Sequence, residues 1–435
     1  MSKLPAQPKR WPWEAHEHEI VLDPDATVRE VVSAPGTARV CTCNDVRKET
    51  IVDAVRSHDL KTVKQIGNHT SAATACHSCA RVCKKLLDHE LGRQPKEHQV
   101  VPVCSCTDMG HDEVRKKIQI ERPCSLEDMM LRLRWRTADG CAQCRPALNY
   151  YMSMAFGQKY DDDPRSKVIN ERVHANIQRD GTYSVVPRMF GGVTTPSQLR
   201  ALAEVAERFE VKAIKITGGQ RIDLLGIRKE LLPAIWGALN KAGFISGHAY
   251  AKSVRTVKTC VGTEWCRYGV QDSTSMGIDL EHIMWGTRTP HKVKLGVSGC
   301  RRNCAEATIK DVGIVAVDDG WDLYVGGASG TRVRAARFLC RVGRDHDVPE
   351  YSGAFIQLYR EEGWYGERTA AFVERVGIRY VRERIVKDIA GRNLLFSRFM
   401  RNQKHDQVDP WASAAVDQVQ EHFVPLSRLS KDLPS

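Results

Sequence analysis

Two close pairs of cysteines have the spacing of ligands to an iron–sulfur cluster. Five residues separate Cys260 from Cys266, three separate Cys300 from Cys304, and 33 lie between the pairs. Four thiolates in this arrangement suit a [4Fe–4S] cluster or a structural zinc ion. Zinc knuckles commonly use shorter C-x2–4-C arms. Glycines and basic residues also crowd these thiols, namely Gly262, Gly269, Gly299, Lys258, Arg267, Lys292, Lys294 and Arg301. The pattern predicts an iron–sulfur cluster, with zinc as the alternative.

Two further groups of four cysteines share another arrangement, C-x-C followed by C-x2-C. They are Cys41, Cys43, Cys76 and Cys79 in the first group, and Cys104, Cys106, Cys141 and Cys144 in the second. The pairs are 32 and 34 residues apart, and each interval predicts two short helices. A repeat of this kind offers four thiolates to one small iron–sulfur cluster, or to zinc. Asn44–Asp45 and Thr107–Asp108 are predicted helix N-caps. Cys83, Cys124 and Cys340 remain as plain thiols.

Composition limits the function classes. The chain has 435 residues and a formal net charge of +12. Its basic residues are scattered among acids, which argues against nucleic acid; a small anionic substrate and a polyanionic cofactor explain the excess. The polar start has no apolar signal segment, and no apolar run is long enough to span a membrane. We therefore expect a soluble cytoplasmic protein without a membrane partner.

Several longer stretches carry a resemblance. TCVGTEWCRYG and HKVKLGVSGCRRNCAEA resemble the sirohaem and [4Fe–4S] site of nitrite and sulfite reductases. RVHANIQRDGTYSVVPRMFGGVTTPSQL, KITGGQRIDLLGI and YAKSVRTVKTC resemble the large subunit of bacterial NADH-dependent assimilatory nitrite reductase. The cysteine repeats are similar to tandem bacterioferritin-associated-ferredoxin-like [2Fe–2S] domains. The resemblance covers roughly residues 40 to 400. It implies sirohaem, a [4Fe–4S] cluster, two [2Fe–2S] clusters and six-electron reduction of nitrite to ammonium.

The resemblance also implies roles for single residues. Cys304 would both ligate the [4Fe–4S] cluster and bridge to the sirohaem iron. The residues expected to hold the anion are Arg188, Arg255, Lys292 and Lys294. Gln220 and Arg221 match a segment that lines the cofactor. Each basic residue alone could equally be a solvated surface charge. K-V-K at 292–294 is similar to sulfite reductases, so sulfite reduction is an alternative, as are a non-catalytic iron–sulfur electron-transfer subunit and a zinc-structured basic binding protein.

These residues need a scaffold of the α+β class. The expected parts are an N-terminal arm at 1–39 with a short docking strand near 19–22, [2Fe–2S] domains at 40–95 and 96–157, a ferredoxin-like half-module at 165–252 built as strand–helix–strand–strand–helix, a sirohaem and [4Fe–4S] domain at 253–345, and a helical cover and polar tail at 346–435. In the half-module, the helix after Thr195-Pro196 is expected to bury Leu199, Leu202, Val205, Ala206 and Phe209.

The resemblance also bears on partners. No G-x-G-x-x-G dinucleotide motif occurs in the chain, so the sequence is expected to lack the N-terminal flavin and NADH portion of the family. A separate NADH flavoprotein or a ferredoxin would then supply electrons, and the resemblance also suggests a small Rieske-like subunit as a partner. Full-length sirohaem reductases contain two half-modules and this chain has one, so we expect a homodimer with shared sites.

Overall fold

The computed structural model describes residues 20–23, 26–75, 79–93 and 100–412. Contacts divide the chain into two compact units, residues 1–99 and 100–435. Within the described ranges, no helix is both long and apolar enough to cross a membrane.

The first unit is a small helical domain that contains the first cysteine repeat. Its elements are α1 (Val28–Ser33), β1 (Arg39–Cys41), β2 (Val46–Arg47), α2 (Lys48–Ser57), α3 (Val63–Thr70) and α4 (Ala80–Glu90). Thr27 and Thr62 form capping boxes that start α1 and α3. Residues 20–22 pair with Arg39, as the predicted docking strand requires. The rest of the expected arm is wrong where it is described, because α1 packs Val31 into the core.

The second unit begins with the second cysteine repeat, which has the same plan. Its helices are α5 (His111–Glu121), α6 (Leu126–Arg132) and α7 (Cys144–Phe156). The predicted N-caps are wrong in both repeats, since α2 is capped by Arg47 and α5 by Gly110. The Asn44 amide instead donates to Ser71 and Thr74 in the loop after α3, and the Thr107 hydroxyl accepts the N–H of Met109 in the loop before α5.

The half-module is a four-stranded antiparallel sheet with two helices. Its strands β3 (Asn176–Ile177), β4 (Tyr183–Val185), β5 (Ala213–Ile216) and β6 (Ile222–Ile227) lie in the order β3-β4-β6-β5. Short helix α8 (Ile169–Arg172) precedes it, and α9 (Pro196–Arg208) and α10 (Leu232–Lys241) follow their strands. Thr195 caps α9 as predicted. Leu199 is 45% exposed, so its predicted burial is wrong: it lies on the first turn, ahead of the buried Leu202.

A mixed five-stranded sheet forms the body of the second unit. Its strands are β7 (Val254–Thr259), β8 (Val293–Ser298), β9 (Val312–Val317), β10 (Gly320–Val325) and, after the short pair β11 (Ala328–Ser329) and β12 (Val333–Arg334), β13 (Arg337–Val342). The order is β13-β10-β9-β8-β7, and β7, β8 and β9 are parallel. The predicted strands VKLGV, VGIVAV and WDLYVGG are confirmed as β8, β9 and β10.

Helices pack against this sheet. The short α11 (Gly262–Trp265) lies in the loop after β7, and the helices that share the core with the sheet are α12 (Ser273–Met284), α13 (Asp347–Glu362), α14 (Thr369–Val376), α15 (Ile378–Arg382) and α16 (Ile389–Asp406), with a π-helical turn at Glu383–Lys387. The predicted cover is thus confirmed. The tail expected from 403 is wrong up to 412, because Trp411 is 1% exposed and stacks on Trp236. Residues 413–435 lie outside the described residues, as do 1–19.

Candidate functional site

The structure brings the four cysteines of the second repeat together. The sulfur atoms of Cys104, Cys106, Cys141 and Cys144 all lie within 4.8 Å of one another. Backbone N–H groups point at two of them: Cys106 donates to Cys104 Sγ (3.3 Å) and Cys141 to Cys144 Sγ (3.0 Å). The Trp135 indole N–H also donates to Cys144 Sγ (3.4 Å). Such donors stabilise thiolates, so the set fits one small metal centre.

Three of these thiols have shifted pKa values, and burial raises that of Cys144. Burial raises the pKa of Cys104. Burial also acts to raise the pKa of Cys141, but the N–H groups of Cys144 and Gln143 outweigh it and lower that pKa to about 7. A thiol that ionises readily is suited to ligation.

The first repeat is described only in part. The thiols of Cys41 and Cys79 hydrogen bond to each other, and Cys83 also bonds to Cys79. Cys43 is exposed. Cys76 lies outside the described residues. Two of the four predicted ligands are therefore placed in contact.

The four remaining predicted ligands line one cavity of about 310 Å³ at the carboxyl ends of β7 and β8. Cys260 directly follows β7, and its Sγ accepts the N–H of Gly299, which follows β8 (3.1 Å). The loop between Cys260 and Cys266 turns sharply, because Gly262 has φ +67° and a Cβ on Gly269 would lie 2.9 Å from Thr263. The glycines noted in the sequence thus allow the loop to wrap around the thiols. The cavity suits a four-thiolate cluster.

Three predicted anion ligands meet farther along the same sheet. Lys292 and Lys294 line a cavity of about 40 Å³ together with Lys310, Asp311 and Arg368. Arg255, on the neighbouring β7, lies close enough to these cations to lower the pKa of both lysines. Asp311 is engaged by Arg368 at 3.1 Å. Among the described residues, Arg255, Lys292 and Lys294 have no ion pair with an acidic side chain.

The acidities record this crowding of positive charge. Burial, followed by the charges of Arg255 and Lys292, lowers the pKa of Lys294 to about 8. Burial and then the charge of Arg368 lower the pKa of Arg255 to about 10. A cluster of half-buried cations without acidic partners is stabilised by a bound anion. We call Arg255, Lys292 and Lys294 the cationic cluster.

The structure does not bring Arg188 into this cluster. Its guanidinium donates to Glu281 Oε1 (2.6 Å) and to the carbonyls of Ser246 and Gly247, and the side chains of both ion-pair partners are fully buried. Glu281 also accepts the N–H of Gly191 (2.9 Å). The ion pair therefore joins α12 to the backbone of the half-module.

The side chains of Gln220 and Arg221 both bond to the backbone of β7. The Gln220 side chain bonds both the N–H and the carbonyl of Thr259 and lines the cysteine cavity. Arg221 donates to the carbonyls of Gly247 and Arg255 (2.8 and 2.7 Å), while its buried Nε has no hydrogen-bond partner among the described residues. Burial, then the charge of Arg188, lowers the pKa of Arg221 to about 10.

One face of the sheet connects the cysteines with the cations. Val293, Leu295 and Val297 of β8 point into the core, so the alternation of a strand places Lys294, Gly296 and Ser298 on the other face. That face runs from the cationic cluster to the edge that carries the cysteines. A polycarboxylate such as sirohaem fits this face, since buried cations and the unpartnered Arg221 Nε offer donors to carboxylates.

Sequence reasoning missed Arg368, Lys310 and Asp311. Arg368 directly precedes α14, whose sequence predicts only a helix that covers the sheet. Lys310 and Asp311 lie in the loop before β9. Nothing in their local sequence marks them, because only the tertiary fold places them beside β8.

A larger cavity of about 580 Å³ lies elsewhere in the second unit. Residues of the second repeat, the half-module and the body line it, among them Tyr150, His248, Arg288 and Tyr365. No cysteine lines it.

Sequence models of three domain families match the chain. The descriptions and matched residues are "BFD-like [2Fe-2S] binding domain" at 39–89 and 102–154, "Nitrite/Sulfite reductase ferredoxin-like half domain" at 176–242, and "Nitrite and sulphite reductase 4Fe-4S domain" at 250–392. Three of the four matches contain the cysteine groups, one of them together with the cationic cluster, and the half-domain match contains Arg188, Gln220 and Arg221.

Curated relatives extend these matches. A nitrite reductase [NAD(P)H] of Bacillus subtilis is 45% identical over 87% of this chain and 46% of its own length. The nitrite reductase (NADH) large subunit of Escherichia coli is 36% identical over 87% of this chain and 44% of its own. An assimilatory-type sulfite reductase of Nitratidesulfovibrio vulgaris is 38% identical over 49% of this chain and 96% of its own. The chain thus spans less than half the length of the two nitrite reductases.

The buried ion pair gives a first prediction. Glu281→Gln leaves the Arg188 guanidinium buried without a counter-charge, so we expect the free energy of unfolding to fall by about 3–5 kcal/mol. Urea unfolding of the purified variant measures this loss. Glu204→Gln, at an exposed position on α9, is the control and should match the unchanged protein. Equal unfolding midpoints for the two variants would contradict the role given to the pair.

The acidity of Lys294 gives a second prediction. Its charge is present below a pKa of about 8 and is lost above it. Affinity for a small anion such as nitrite should therefore weaken above pH 8, by up to about tenfold per pH unit. Spectral titration of cofactor-loaded protein between pH 7 and 9 measures this. Lys294→Met should bind weakly with little pH dependence, whereas Lys241→Met, at an exposed position, should behave normally. A flat profile in the unchanged protein would refute the assignment.

Proposed function

The chain belongs to the nitrite and sulphite reductase family, and from that premise we propose that it is the catalytic part of an assimilatory nitrite reductase. The reaction is the reduction of nitrite to ammonium by six electrons and eight protons, with release of two waters. The observation that carries this proposal is the single sheet face that joins four thiols to a cluster of uncompensated cations. The nitrite reductase relatives, at 36–45% identity, support nitrite as the substrate.

The chain's residues would divide the work as follows. Cys260, Cys266, Cys300 and Cys304 would hold a [4Fe–4S] cluster, and Cys304 would serve the sirohaem as well. When bound, these groups supply stored electrons and an iron that binds the anion. The BFD-like matches favour [2Fe–2S] clusters over zinc in the two repeats.

The cationic cluster binds the anion and supplies protons. Arg255 and Lys292 keep a fixed positive charge against nitrite. Lys294, whose pKa of about 8 lies near neutral pH, can release a proton and regain one from water. Arg188 does not contact the anion in this proposal. Its ion pair with Glu281 holds the half-module loop against α12 and so positions the site.

Sulfite reduction to sulfide is a second candidate. The chain spans nearly the whole of the sulfite reductase relative, and the K-V-K sequence at 292–294 is similar to sulfite reductases. The same cationic cluster would hold either anion, so relative turnover with nitrite and with sulfite decides between them.

Electrons would come from a separate protein. We propose a reduced flavoprotein that draws on NADH, or a ferredoxin, as the donor to the iron–sulfur repeats. A small Rieske-like subunit belongs to the same proposal.

We also propose that two copies of the chain associate. The strand β5 lies at one edge of the half-module sheet. All four of its residues are exposed, with Ile214 51% and Ile216 79% exposed. An apolar edge strand with unpaired backbone groups favours pairing with another strand. A second copy would complete the sheet and supply the second half-module.

Cofactor content tests the function. Protein made in cells that synthesise sirohaem should contain about nine iron atoms per chain, from two [2Fe–2S] clusters, one [4Fe–4S] cluster and one sirohaem. Absorption spectra should show the tetrapyrrole bands, which Cys304→Ser should remove or shift. Cys124→Ser, an exposed thiol outside the predicted ligand sets, is the control. Zinc in place of iron, with no tetrapyrrole band, would rule out the proposal.

Association is tested at the edge strand. Ile214→Asp combined with Ile216→Asp should convert a dimer into a particle of one 48.9 kDa chain, as sedimentation would report. Leu131→Asp changes an apolar side chain of the second repeat that is 78% exposed, and it should leave the dimer intact. An unchanged protein that sediments as an active monomer would exclude the shared site.

A further inference from the structure

The two cysteine repeats use one equivalent face in different ways. The helix after C-x-C begins at Lys48 in the first repeat and at His111 in the second. Lys85 and Tyr150 are equivalent as well, each six residues after the last cysteine of its repeat. We call this surface the docking face; its residues are Lys48 and Lys85 in the first repeat, and His111, Arg115, Tyr150 and Tyr151 in the second.

In the second repeat the docking face binds the end of α13. Arg115 donates to three successive backbone carbonyls, those of Glu361 (2.6 Å), Glu362 (3.0 Å) and Gly363 (3.2 Å). The last carbonyls of a helix have no partner within it, so a guanidinium is well suited to cap them. Tyr150 Oη also donates to the Arg360 carbonyl (3.4 Å).

Aromatic contacts extend this interface. The rings of His111 and Trp364 stack with centroids 5.4 Å apart, and the Trp364 indole donates to Asp112 (3.0 Å). The Tyr151 hydroxyl bonds the His111 ring and accepts the N–H of Tyr365, both at 2.7 Å. Burial, then the charge of Arg115, lowers the pKa of His111 to about 4, so its ring is neutral near pH 7.

In sequence, the α13 side of this interface is followed at once by a residue that lies beside the cationic cluster. Three residues after Tyr365, Arg368 pairs with Asp311, which also accepts the N–H of Lys294. The distance along the chain is equally short on the side of the second repeat. Helix α7 begins with the predicted metal ligand Cys144 and carries Tyr150 and Tyr151 two turns later. One helix and one short segment thus connect the thiols of the second repeat with the cations of the body.

In the first repeat the same face is already covered. Lys48 Nζ donates to the carbonyls of Val32 and Ala34 at the end of α1, both at 2.6 Å, and Lys85 Nζ donates to the Ala26 carbonyl (2.5 Å). Val31 of α1 is fully buried in the core of the repeat. A cation from an equivalent helix therefore caps a helix end in both repeats, but in the first repeat that helix belongs to the repeat's own N-terminal segment.

We propose that the docking face assigns the two repeats different roles: the second is permanently docked on the reductase body and is the repeat that delivers electrons to it, while the first, its face covered by residues 26–34, cannot replace it. This inference rests on the proposed function. Transfer is by single electrons, from a reduced iron–sulfur repeat, which is oxidised, to the cysteine-held centre of the body, which is reduced; no bond forms or breaks.

The test uses the full, cofactor-loaded chain with Arg115→Ala and Trp364→Ala combined. Hydrogen exchange should show lost protection in residues 111–121 and 360–366. Turnover driven by reduced flavodoxin, a protein donor, should fall at least tenfold. Turnover driven by reduced methyl viologen, a small dye that reaches the catalytic iron directly, should stay within twofold. Arg115→Lys with Trp364→Phe, a milder pair, should show the same pattern to a lesser degree.

Two controls bracket the result. Lys117→Ala changes a residue of the same helix whose side chain is 44% exposed and pairs with Glu113, and it should change neither exchange nor turnover. Lys48→Ala should release residues 26–34 and leave 360–366 protected. Unchanged protection in the double variant, or lost protection with undiminished flavodoxin-driven turnover, would overturn the inference. Absence of turnover with both donors in the unchanged protein would instead refute the proposed function, and the exchange data would still report on docking.

Discussion

The structure depends on a concentration of positive charge along one face of a buried sheet. Arg255, Lys292 and Lys294 converge beside β7 and β8 without acidic partners among the described residues, and Arg221 contributes a buried Nε with no acceptor. Leaving such groups uncompensated costs free energy, since burial disfavours the charged form. A fold that retains them must recover that cost by binding an anion. The lowered pKa values of Lys294 and Arg255 are the physical signature of this demand.

The rest of the unit keeps this face in place. Because β7 and β8 are parallel and joined through α12, their carboxyl ends lie at the same edge, where Cys260 and Cys300 follow them closely. Two neighbouring arginines are neutralised: Arg188 by Glu281, and Arg368 by Asp311. The same chain therefore contains both compensated and uncompensated cations, and among the described residues Arg255, Lys292 and Lys294 belong to the uncompensated ones.

Spacing alone predicted most of the cysteine groups that the structure brings together. Thiol ligands must be close in sequence or follow adjacent strands, so the pairs Cys141–Cys144 and Cys260–Cys266 are visible in the sequence. The cationic cluster was only partly predictable. Lys292 and Lys294 lie in a recognisable motif, but Arg368 reaches them from a helical segment with no local signal. Arg188 was predicted from a motif to bind the anion, but its guanidinium pairs with Glu281. A local motif cannot reveal this partner, because Glu281 lies 93 residues away. The docking faces were also invisible, since Lys48 and His111 read as ordinary surface residues until their partners are known.

The central claim is that the cysteine edge and the cationic face form one site that holds two coupled iron centres. Mössbauer spectroscopy of 57Fe-enriched, cofactor-loaded protein tests it most directly. We predict that the sirohaem iron and the [4Fe–4S] cluster give the spectrum of one exchange-coupled magnetic system, because Cys304 would serve both groups. A magnetically isolated cluster beside an independent tetrapyrrole iron, or a cluster with no tetrapyrrole iron at all, would contradict the account.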